Sequence, residues 1–425
     1  MGAAPTDLSL VVFEDSQWRS LRPITDMIAV PALRLGDMTL AERWLAATGL
    51  PLAAIAARPR PLRCWPDPPT PGVPAREVLL VNAAALPGSW HRAALGGGTA
   101  RWVRDGRTLV ARTPWSTVRE AVANGPGALE VVLAGLPQRP ISEEVALLDH
   151  PWSPIRWNSE LLRQDLAAGP FIRSGTVDQR AMLIAPDRIR IDPGARIDPG
   201  AVLDAREGPI RIGAGAIVMS HTLVQGPCSI GAGTQLLGGV VGRSSIGPQC
   251  RIAGEVDECV WQGWSNKRHH GFVGHSWIGE WVNLGALTTT SDLKNNYGTI
   301  RVHEDGREIE SGETKIGSIL GSHVKTGIGT LLPTGAVVGV GSNLFGGGHF
   351  GPKHVPAFSW WDGVTMVEHR FDRFVETALT AMARRDRTFG PAEEVLAHAV
   401  FDDTESERSP KKVVHQREKR AVKQG

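Results

Sequence analysis

Several features that mark other protein classes are scarce in this sequence. Its 425 residues include four cysteines and one tyrosine, and the formal net charge is only +2. The cysteines form no CxxC pair and are too few for a disulfide framework, so a reducing, cytoplasmic compartment is expected. The near balance of acidic and basic residues provides no field that would attract nucleic acid.

Long apolar segments are also missing. No run of about 18 apolar residues occurs, so we expect nothing in the chain to span a membrane. The start, MGAAPTDLSLVVFEDS, lacks a basic segment followed by a long apolar run, so no signal peptide is expected. Glycine (49) and proline (30), in contrast, are plentiful without low complexity. That composition favours a turn-rich repeat fold.

Strand and helix patterns alternate in the N-terminal part of the chain. Apolar runs predict buried strands at 8–15, 77–86 and 129–135, and alternation around Asp105-Gly106 predicts a hairpin over 100–112. Helical periodicity is found in four segments: 38–48, 117–124, 142–148 and 159–168. The alternation predicts a Rossmann-like α/β domain over residues 1–175.

From Ile191 the pattern changes to one aliphatic residue at about every sixth position. The repeat positions are Ile191, Ile197, Leu203, Ile212, Val218, Val224, Ile230, Leu236, Ile246, Ile252, Ile278, Leu284, Ile328, Thr334 and Val340. Hexapeptides of this kind build parallel β-helices, with three units in each coil, the aliphatic side chains inward and glycine at tight corners. We therefore predict a parallel β-helix, left-handed as such coils usually are, over residues 176–350.

The remaining segments interrupt or follow this repeat. The charged stretch 301–315 predicts a loop ejected from the coil. Amphipathic patterns at 360–385 and 391–401 predict a C-terminal helical segment, within residues 351–405, that caps the open end of the coil. Residues 406–425 are polar and basic and predict a disordered tail.

One stretch of the repeat is crowded with residues that a core alone does not need. Residues 254–297, GEVDECVWQGWSNKRHHGFVGHSWIGEWVNLGALTTTSDLKNNY, contain three histidines (His269, His270 and His275), four tryptophans and four asparagines. A regular scaffold thus carries a polar, aromatic insertion. We expect the chemistry there.

This stretch, together with PTGAVVGVGSNLFGGG, PAFSWWDG and FEDSQWRSLRPITDMIAVPALRLGDMTL, carries a family resemblance. The chain resembles bifunctional enzymes that join a nucleotidyltransferase domain to a left-handed β-helix acetyltransferase domain. More closely, it is similar to the divergent bacterial branch of UDP-N-acetylglucosamine diphosphorylase/glucosamine-1-phosphate N-acetyltransferase-like proteins. The resemblance implies acetyl-CoA-dependent N-acetylation of an amino-sugar phosphate, nucleotide substrates for the N-terminal domain, a homotrimer and a role in cell-envelope polysaccharide supply.

The resemblance also implies roles for individual residues. His269 falls on the family's catalytic histidine, a general base for an amine that attacks the acetyl-CoA thioester. Positions that contact the substrate are Asn283, Asn296, Tyr297, Lys267 and Phe272, and those that contact coenzyme A are Ala286, Ser322 and Val340. Phe272 replaces a family tyrosine that helps to hold the sugar phosphate, so one hydroxyl is lost. The chemistry suits histidine, because an imidazole with an ordinary pKa of about 6.5 is a base near neutral pH.

The N-terminal domain departs from the family pattern. Sugar nucleotidyltransferases cradle phosphates with a glycine-rich turn, but the turn FEDSQWRSLRPIT has no glycine. The remaining candidates for nucleotide binding are Asp15, Arg22, Arg34 and Asn82. Val81-Asn82-Ala83-Ala84 stands where a carboxylate for Mg²⁺ is expected, which weighs against nucleotidyl transfer.

Two other classes of function stay open at this stage. One is a non-catalytic, ligand-binding trimeric β-helix protein with a degenerate N-terminal domain. The other is a β-helix metal enzyme of the carbonic anhydrase type, in which His269 and His275 would need a third histidine, such as His303 or His349, from another coil or chain. No metal site is predicted in the leading interpretation.

Overall fold

The computed structural model describes residues 7–167 and 169–408. Its contacts divide the chain into two compact units. Unit 1 comprises Met1–Leu21, Ile28–Leu33 and Met38–Ser153, and unit 2 comprises Arg22–Met27, Arg34–Asp37 and Pro154–Gly425. Two short N-terminal segments therefore belong with the C-terminal unit. The predicted boundaries at residues 175, 350 and 405 stay predictions. No helix in the described ranges is long and apolar enough to cross a bilayer.

Unit 1 is built on a six-stranded mixed sheet. Its strands follow the order Leu52–Ala56, Leu8–Phe13, Glu77–Asn82, Arg107–Pro114, Ala100–Arg104 and Gln138–Pro140. The first three are parallel to one another, and the predicted hairpin around Asp105-Gly106 joins the sheet antiparallel to Glu77–Asn82. Phe13 and Asn82 therefore end neighbouring strands at the same edge, where parallel α/β sheets bind their ligands.

Helices cover this sheet. The α-helices of unit 1 are Leu40–Thr48, Pro59–Arg63, Arg92–Leu95, Trp115–Ala123 and Pro126–Ala134, and its 3₁₀ helices are Ser16–Leu21, Val30–Ala32 and Ser89–His91. Leu129 and Leu133 pack with Val11, Phe13 and Leu80 in one core. The helix Ser153–Ala167 begins at the last residue of unit 1.

Two predictions for this unit were wrong. Residues 129–135 form most of the helix Pro126–Ala134 and not a strand. Pro126 fits the first helical turn, and Leu129 and Leu133, four residues apart, meet the core on one helix face, which outweighs the strand preference of the two valines. The segment 142–148 is extended and bridges Ala85 through Leu147, so it is not a helix.

Unit 2 is a parallel β-helix with three sides. The first side contains Ile189–Ile191, Ile210–Ile212, Cys228–Ile230, Ser245–Ile246, Val260–Trp261, Trp277–Ile278, Ser318–Leu320, Ala336–Val338 and His354–Val355. The second contains Thr176–Val177, Arg196–Ile197, Ile217–Val218, Asn266–Lys267, Asn283–Leu284, Lys325–Thr326, Asn343–Leu344 and Ser359–Trp361. The third contains Met182–Ile184, Val202–Asp204, Thr222–Gln225, Phe272–Gly274, Thr289–Thr290 and Leu331–Leu332. Gln235–Gly242 and Arg251–Asp257 run through a corner and join the second and third sides.

The inward positions of the coils match the predicted hexads before the ejected loop. Ile212 pairs with Ile230 and Ile246 pairs with Trp261, and all four side chains are buried in one continuous core. This architecture confirms the predicted fold class, an α/β domain followed by a hexapeptide-repeat parallel β-helix. The loop is also confirmed: it carries a hairpin formed by Arg301–Glu304 and Arg307–Glu310.

After that loop the predicted repeat phase was wrong. Ile328 is 71% exposed, and the inward positions are taken by Leu320, Thr326 and Val338 instead. Thr326 is acceptable inside the coil because its hydroxyl bonds the Thr288 hydroxyl at 2.7 Å and accepts from the backbone.

One corner of the coil, which we call the aromatic corner, places residues at positive φ in successive turns. Its members are Gly194, Gly215, Gly233, Gln249, Trp264, Trp281, His323, Gly341 and Phe358. A side chain in this left-handed region costs about 1–2 kcal/mol. Ring stacking offsets that cost, since the centroids of Trp264 and Trp281 lie 5.1 Å apart.

The C-terminal helices Phe371–Ala383, Pro391–Asp403 and Glu405–Arg408 pack along the aromatic corner. Phe374 contacts the rings of His323 and Phe358, and the Arg387 guanidinium lies over Trp264. The prediction of a helix from residue 360 was wrong, because Ser359–Trp361 and Met366–Glu368 form an antiparallel strand pair. Residues 409–425 of the predicted tail lie outside the described residues.

Candidate functional site

The crowded stretch places His269 on an exposed corner of the β-helix. Asn266–Lys267 ends the second side and Phe272–Gly274 begins the third, so residues 268–270 form the turn between them and all three are exposed. The next coil follows the same corner, since the Leu287 backbone N–H donates to the His270 carbonyl at 2.8 Å. A rigid backbone thus presents the imidazole to solvent. We call this the histidine corner.

Lys267 lies directly beneath the histidine corner. Its side chain takes an inward position between Ile252 and the next coil, and it is only 1% exposed. The ammonium donates to the carbonyl oxygens of Ala253 at 2.8 Å and His269 at 2.9 Å. Burial lowers the pKa of Lys267 to about 8. In this conformation the Lys267 amine donates to backbone carbonyls and is not accessible to a substrate.

Two asparagines lie on the outer surface beside this lysine. Asn266 and Asn283 are paired across neighbouring strands, and the Asn266 amide donates to Asn283 Oδ1 at 2.7 Å. Asn283 is exposed, so the predicted sugar contact is accessible and one coil from the histidine corner. The Phe272 ring lies against Gly274 and close to Asp292.

The predicted Asn-Tyr pair lies just before the ejected loop, between the strands Thr289–Thr290 and Arg301–Glu304. Asn296 Oδ1 accepts a hydrogen bond from the Gly298 N–H, and Tyr297 is exposed at positive φ. Their roles stay predictions.

The three residues predicted to contact coenzyme A separate into two groups. Ser322 and Val340 lie on adjacent coils next to the aromatic corner, where the Gly341 N–H donates to the Ser322 carbonyl, and both are buried. Ala286 lies on the histidine corner, and its carbonyl accepts from Gly329. The structure therefore does not bring Ala286 together with the other two.

Sequence reasoning missed an apolar row on the histidine corner. Leu287, Ile328 and Phe345 are all exposed large side chains on successive coils. Backbone hydrogen bonds join these coils at the corner. The Leu287 N–H donates to the His270 carbonyl, the Gly329 N–H to the Ala286 carbonyl and the Gly327 N–H to the Leu344 carbonyl. The signal in the sequence was an aliphatic or aromatic residue one to three positions after an inward residue.

His275 lies at a different corner and is held by two carboxylates. Its Nδ1 lies 2.7 Å from Asp292 Oδ2, and its Nε2 lies 3.4 Å from Glu258 Oε2. Burial alone would lower its pKa, but the hydrogen bonds to Asp292 and Glu258 outweigh burial and raise the pKa of His275 to about 9. A protonated, doubly paired imidazole is a coil anchor and not a base at neutral pH.

This anchor predicts a pH-dependent stability. The folded chain holds the proton of His275 more tightly than an unfolded imidazole, whose pKa is about 6.5, so the stabilisation is complete below that value and is lost as pH rises through about 9. We expect His275→Gln to lower the free energy of unfolding by about 2 kcal/mol at pH 6 and by much less at pH 9.5. Urea titrations at both values test this, with the exposed His270→Gln as control. An equal loss at both values contradicts it.

In unit 1 the predicted nucleotide residues Asp15 and Asn82 lie together. The Asn82 amide donates to Asp15 Oδ2 at 2.7 Å, and Arg107 binds both Asp15 oxygens, with Nε at 2.6 Å and Nη2 at 3.0 Å. Asp15 and Asn82 are buried at the carboxyl edge of the sheet. Arg107, on the hairpin, was missed by the sequence reasoning.

The other two predicted nucleotide residues belong to unit 2. The Arg22 guanidinium pairs with Asp26 at 2.6 Å and lies 3.4 Å from Glu407. Arg34 donates from its backbone to Gln262 and from its side chain to the Asp37 carbonyl. The four candidates are therefore divided between the two units, and only Asp15 and Asn82 are in contact.

Unit 1 also contains a cavity of about 650 Å³ at this edge. Asp15 contributes to its wall together with three hairpin arginines (Arg101, Arg104 and Arg107). This volume suits a small-molecule ligand.

The two acids that follow the strand Leu8–Phe13, Glu14 and Asp15, do not fit Mg²⁺. Asp15 is neutralised by Arg107, and Glu14 is buried and bound by Arg58 Nε at 2.6 Å and by the Val30 N–H. The strand that should end in a carboxylate ends in Asn82. Within the described ranges, no group of three or more His, Cys, Asp or Glu side chains is placed to hold a metal ion.

Comparisons with known proteins found a family model and a curated relative that this chain resembles. Residues 10–169 match the family model described as sugar nucleotidyl transferase. A bifunctional sugar-1-phosphate nucleotidylyltransferase/acetyltransferase of Sulfurisphaera tokodaii is 36% identical over 93 residues, which cover 22% of this chain and 23% of that protein. The match thus spans about a quarter of the length of the curated relative.

Among solved structures, a mutant of AntD, an N-acyltransferase from Bacillus cereus in complex with dTDP and coenzyme A, aligns with 52% of this chain and 96% of its own. Its sequence identity is 16% and the TM-score is 0.18, so it carries no argument about this chain. The family model and the curated relative support a transferase, in which residues 10–169 are similar to sugar nucleotidyl transferases.

Proposed function

We propose that the chain is an acetyl-CoA-dependent N-acetyltransferase acting on an amino-sugar phosphate. The observation that carries this proposal is the histidine corner, where an exposed imidazole stands on a rigid coil and the exposed Asn283 lies on the neighbouring coil, paired with Asn266. The curated relative, named as a nucleotidylyltransferase/acetyltransferase, supports the same reaction class.

The proposed reaction is a direct acyl transfer. The sugar amine attacks the thioester carbonyl carbon and His269 accepts the amine proton. The C–S bond of the tetrahedral intermediate then breaks, and the departing coenzyme A thiolate takes that proton and leaves as the thiol. The backbone N–H groups and the asparagine side-chain amides of the second side supply hydrogen-bond donors for sugar hydroxyls or for the developing oxyanion. The apolar row of Leu287, Ile328 and Phe345 offers a surface for the pantetheine arm, with Ala286 beside it.

Unit 1 would serve the same pathway as a nucleotide- or sugar-phosphate-binding domain. We infer a cytoplasmic homotrimer that supplies UDP-activated amino sugar for envelope polysaccharide. The support for this finer role is the resemblance of the sequence stretches described above.

A thiol-release assay tests the proposal. Purified chain is given acetyl-CoA and a panel of amino-sugar phosphates, with the parent amino sugars as controls that lack the phosphate. We expect turnover that depends on both substrates. A folded protein that binds acetyl-CoA but releases no thiol on any member of the panel contradicts the acetyltransferase proposal.

A second candidate function is a non-catalytic ligand-binding protein. The pairing of Asp15 with Arg107 and the amide of Asn82 in place of an acid favour it for unit 1. The accessible His269 and Asn283 in unit 2 favour the enzyme.

A further inference from the structure

Two arginines meet at the aromatic corner of the β-helix. Arg251 begins a strand of the second side, and its Nη1 donates to three backbone carbonyls at this corner, one of which is that of Gln249 at 3.3 Å. Arg385 follows the helix Phe371–Ala383, and its Nη1 donates to the same Gln249 carbonyl at 2.9 Å. The two guanidinium groups are therefore neighbours, one supplied by the coil and one by the C-terminal segment.

The positive charge of this pair is not compensated. Within the described ranges, neither guanidinium forms an ion pair, and the Nε and Nη2 atoms of both make no hydrogen bond. Burial lowers the pKa of Arg251 and of Arg385, and the charge of the nearby Arg268 lowers both pKa values further. Arg384 brings another cation close to Arg385. An anion that binds among these cations would relieve their mutual repulsion.

The surface next to the pair supplies hydrogen-bond donors and no carboxylate. The outward positions of the second side, coil by coil, are Gln235, Arg251, Asn266, Asn283, Lys325 and Asn343. Arg251 lies two strand spacings from Asn283, which is about 10 Å along the coil axis. The second side is therefore a polar strip, neutral or basic at each of these positions.

The third side, on the other flank of the histidine corner, is unfavourable for an anion. Phe272 pairs there with Glu255 of the preceding coil, and Glu255 is exposed. Its carboxylate forms no ion pair with any residue in the described ranges. A phosphate beside Phe272 would be repelled by this charge, whereas a phosphate over the second side would be attracted by the arginines.

We propose that Arg251 and Arg385 form a phosphate-binding site on the second side of the β-helix. Guanidinium groups suit this ligand because their planar fork can donate two parallel hydrogen bonds to phosphate oxygens. Arg268 borders the site and immediately precedes His269. The phosphate belongs either to the acetyl acceptor, an assignment that rests on the proposed function, or to a free inorganic anion, an assignment that does not.

Calorimetric titration of the full chain with inorganic phosphate and with pyrophosphate, in EDTA and without acetyl-CoA, tests the site. We expect Arg251→Met and Arg385→Met each to weaken the binding of pyrophosphate by at least about tenfold, because each removes charge-assisted hydrogen bonds. Arg188→Met is the matched control. Its exposed guanidinium also bonds a coil carbonyl, that of Arg206 at 3.0 Å, and its loss should leave the affinity unchanged.

The two variants differ in their effect on the fold. Arg251→Met loses three carbonyl bonds at the aromatic corner, so its melting temperature is expected to fall. Arg385→Met loses one and should melt as the wild type does, so its weaker binding cannot be due to unfolding. Pyrophosphate that binds elsewhere on the chain would be unaffected by either substitution. Undiminished affinity in both variants, or no binding by the folded wild type, would overturn the site.

Steady-state thiol release identifies the source of the phosphate. If it belongs to the acceptor, Arg385→Met should lower kcat/KM for glucosamine 1-phosphate, relative to that for glucosamine, by about tenfold. A wild-type ratio in a variant that has lost pyrophosphate binding assigns the site to a free anion. If no acceptor is turned over while pyrophosphate binding depends on both arginines, the acetyltransferase proposal fails and the phosphate site stands.

Discussion

Replacement of His269 by alanine is expected to lower the turnover of amino-sugar phosphate acetylation by at least about a hundredfold, with little change in the KM for acetyl-CoA. The imidazole would act on the reacting amine and not on the cofactor, so its loss falls on the chemical step. Because the side chain is exposed on a corner and its backbone carbonyl keeps the bond from Lys267, the fold should not suffer. The melting temperature of the variant should therefore match that of the wild type.

The adjacent His270 is the matched control for this prediction. It is also exposed, and its backbone carbonyl accepts a hydrogen bond from the Leu287 N–H, which alanine would preserve. We expect His270→Ala to keep most of the turnover. Equal losses in both variants, or full turnover in His269→Ala, would show that the base is elsewhere or that the corner serves another purpose.

The β-helix could be predicted because its physical code is local. An aliphatic residue every sixth position and small residues at corners place Ile212 and Ile230 on one inward column, and the structure has them paired. After the ejected loop this counting failed. Ile328 has the aliphatic side chain that the pattern requires but lies exposed on a corner, and Thr326 takes the inward position. A threonine inside the coil depends on a hydroxyl partner one coil away, at Thr288, and no count of aliphatics shows that partner.

The candidate site likewise has features that the sequence predicts and features that only the folded structure shows. The resemblance implies roles for His269 and Asn283, and both side chains are exposed, but the roles stay predictions. The inward position of Lys267 cannot be predicted from the sequence, because it depends on the Ala253 and His269 carbonyls that accept its hydrogen bonds in the folded coil. In unit 1 the arginine that neutralises Asp15 comes from a hairpin 92 residues away, so only the folded sheet shows why the acid is unsuited to Mg²⁺.

Lys267→Met is expected to change how stability depends on pH. Burial lowers the pKa of Lys267 from 10.5 to about 8, so the unfolded chain binds this proton more tightly than the folded one. Below about pH 8 the wild type carries the whole cost of a buried ammonium, about 3 kcal/mol, and this cost disappears as pH rises towards 10.5. Methionine has no such charge.

The difference between variant and wild type isolates this effect. The missing bonds to the Ala253 and His269 carbonyls lower the stability of the variant by the same amount at every pH. The free energy of unfolding of Lys267→Met relative to wild type should therefore fall by about 3 kcal/mol between pH 7.5 and 10.5, measured by urea titration. Leu284→Met, the next inward residue on the same side, is the uncharged control and should show no such change.

A flat difference across that range would mean that the ammonium keeps its charge inside the coil, held by its carbonyls strongly enough to cancel the cost of burial. In that case Lys267 would be a net stabiliser of the histidine corner at every pH. The result also separates Lys267 from His275, whose contribution changes in the opposite direction, falling as pH rises through about 9. The stability of the wild type between pH 7 and 10 is then the sum of two opposed titrations. In Lys267→Met only the His275 titration remains, so stability should fall with pH. In His275→Gln only the Lys267 titration remains, so stability should rise with pH.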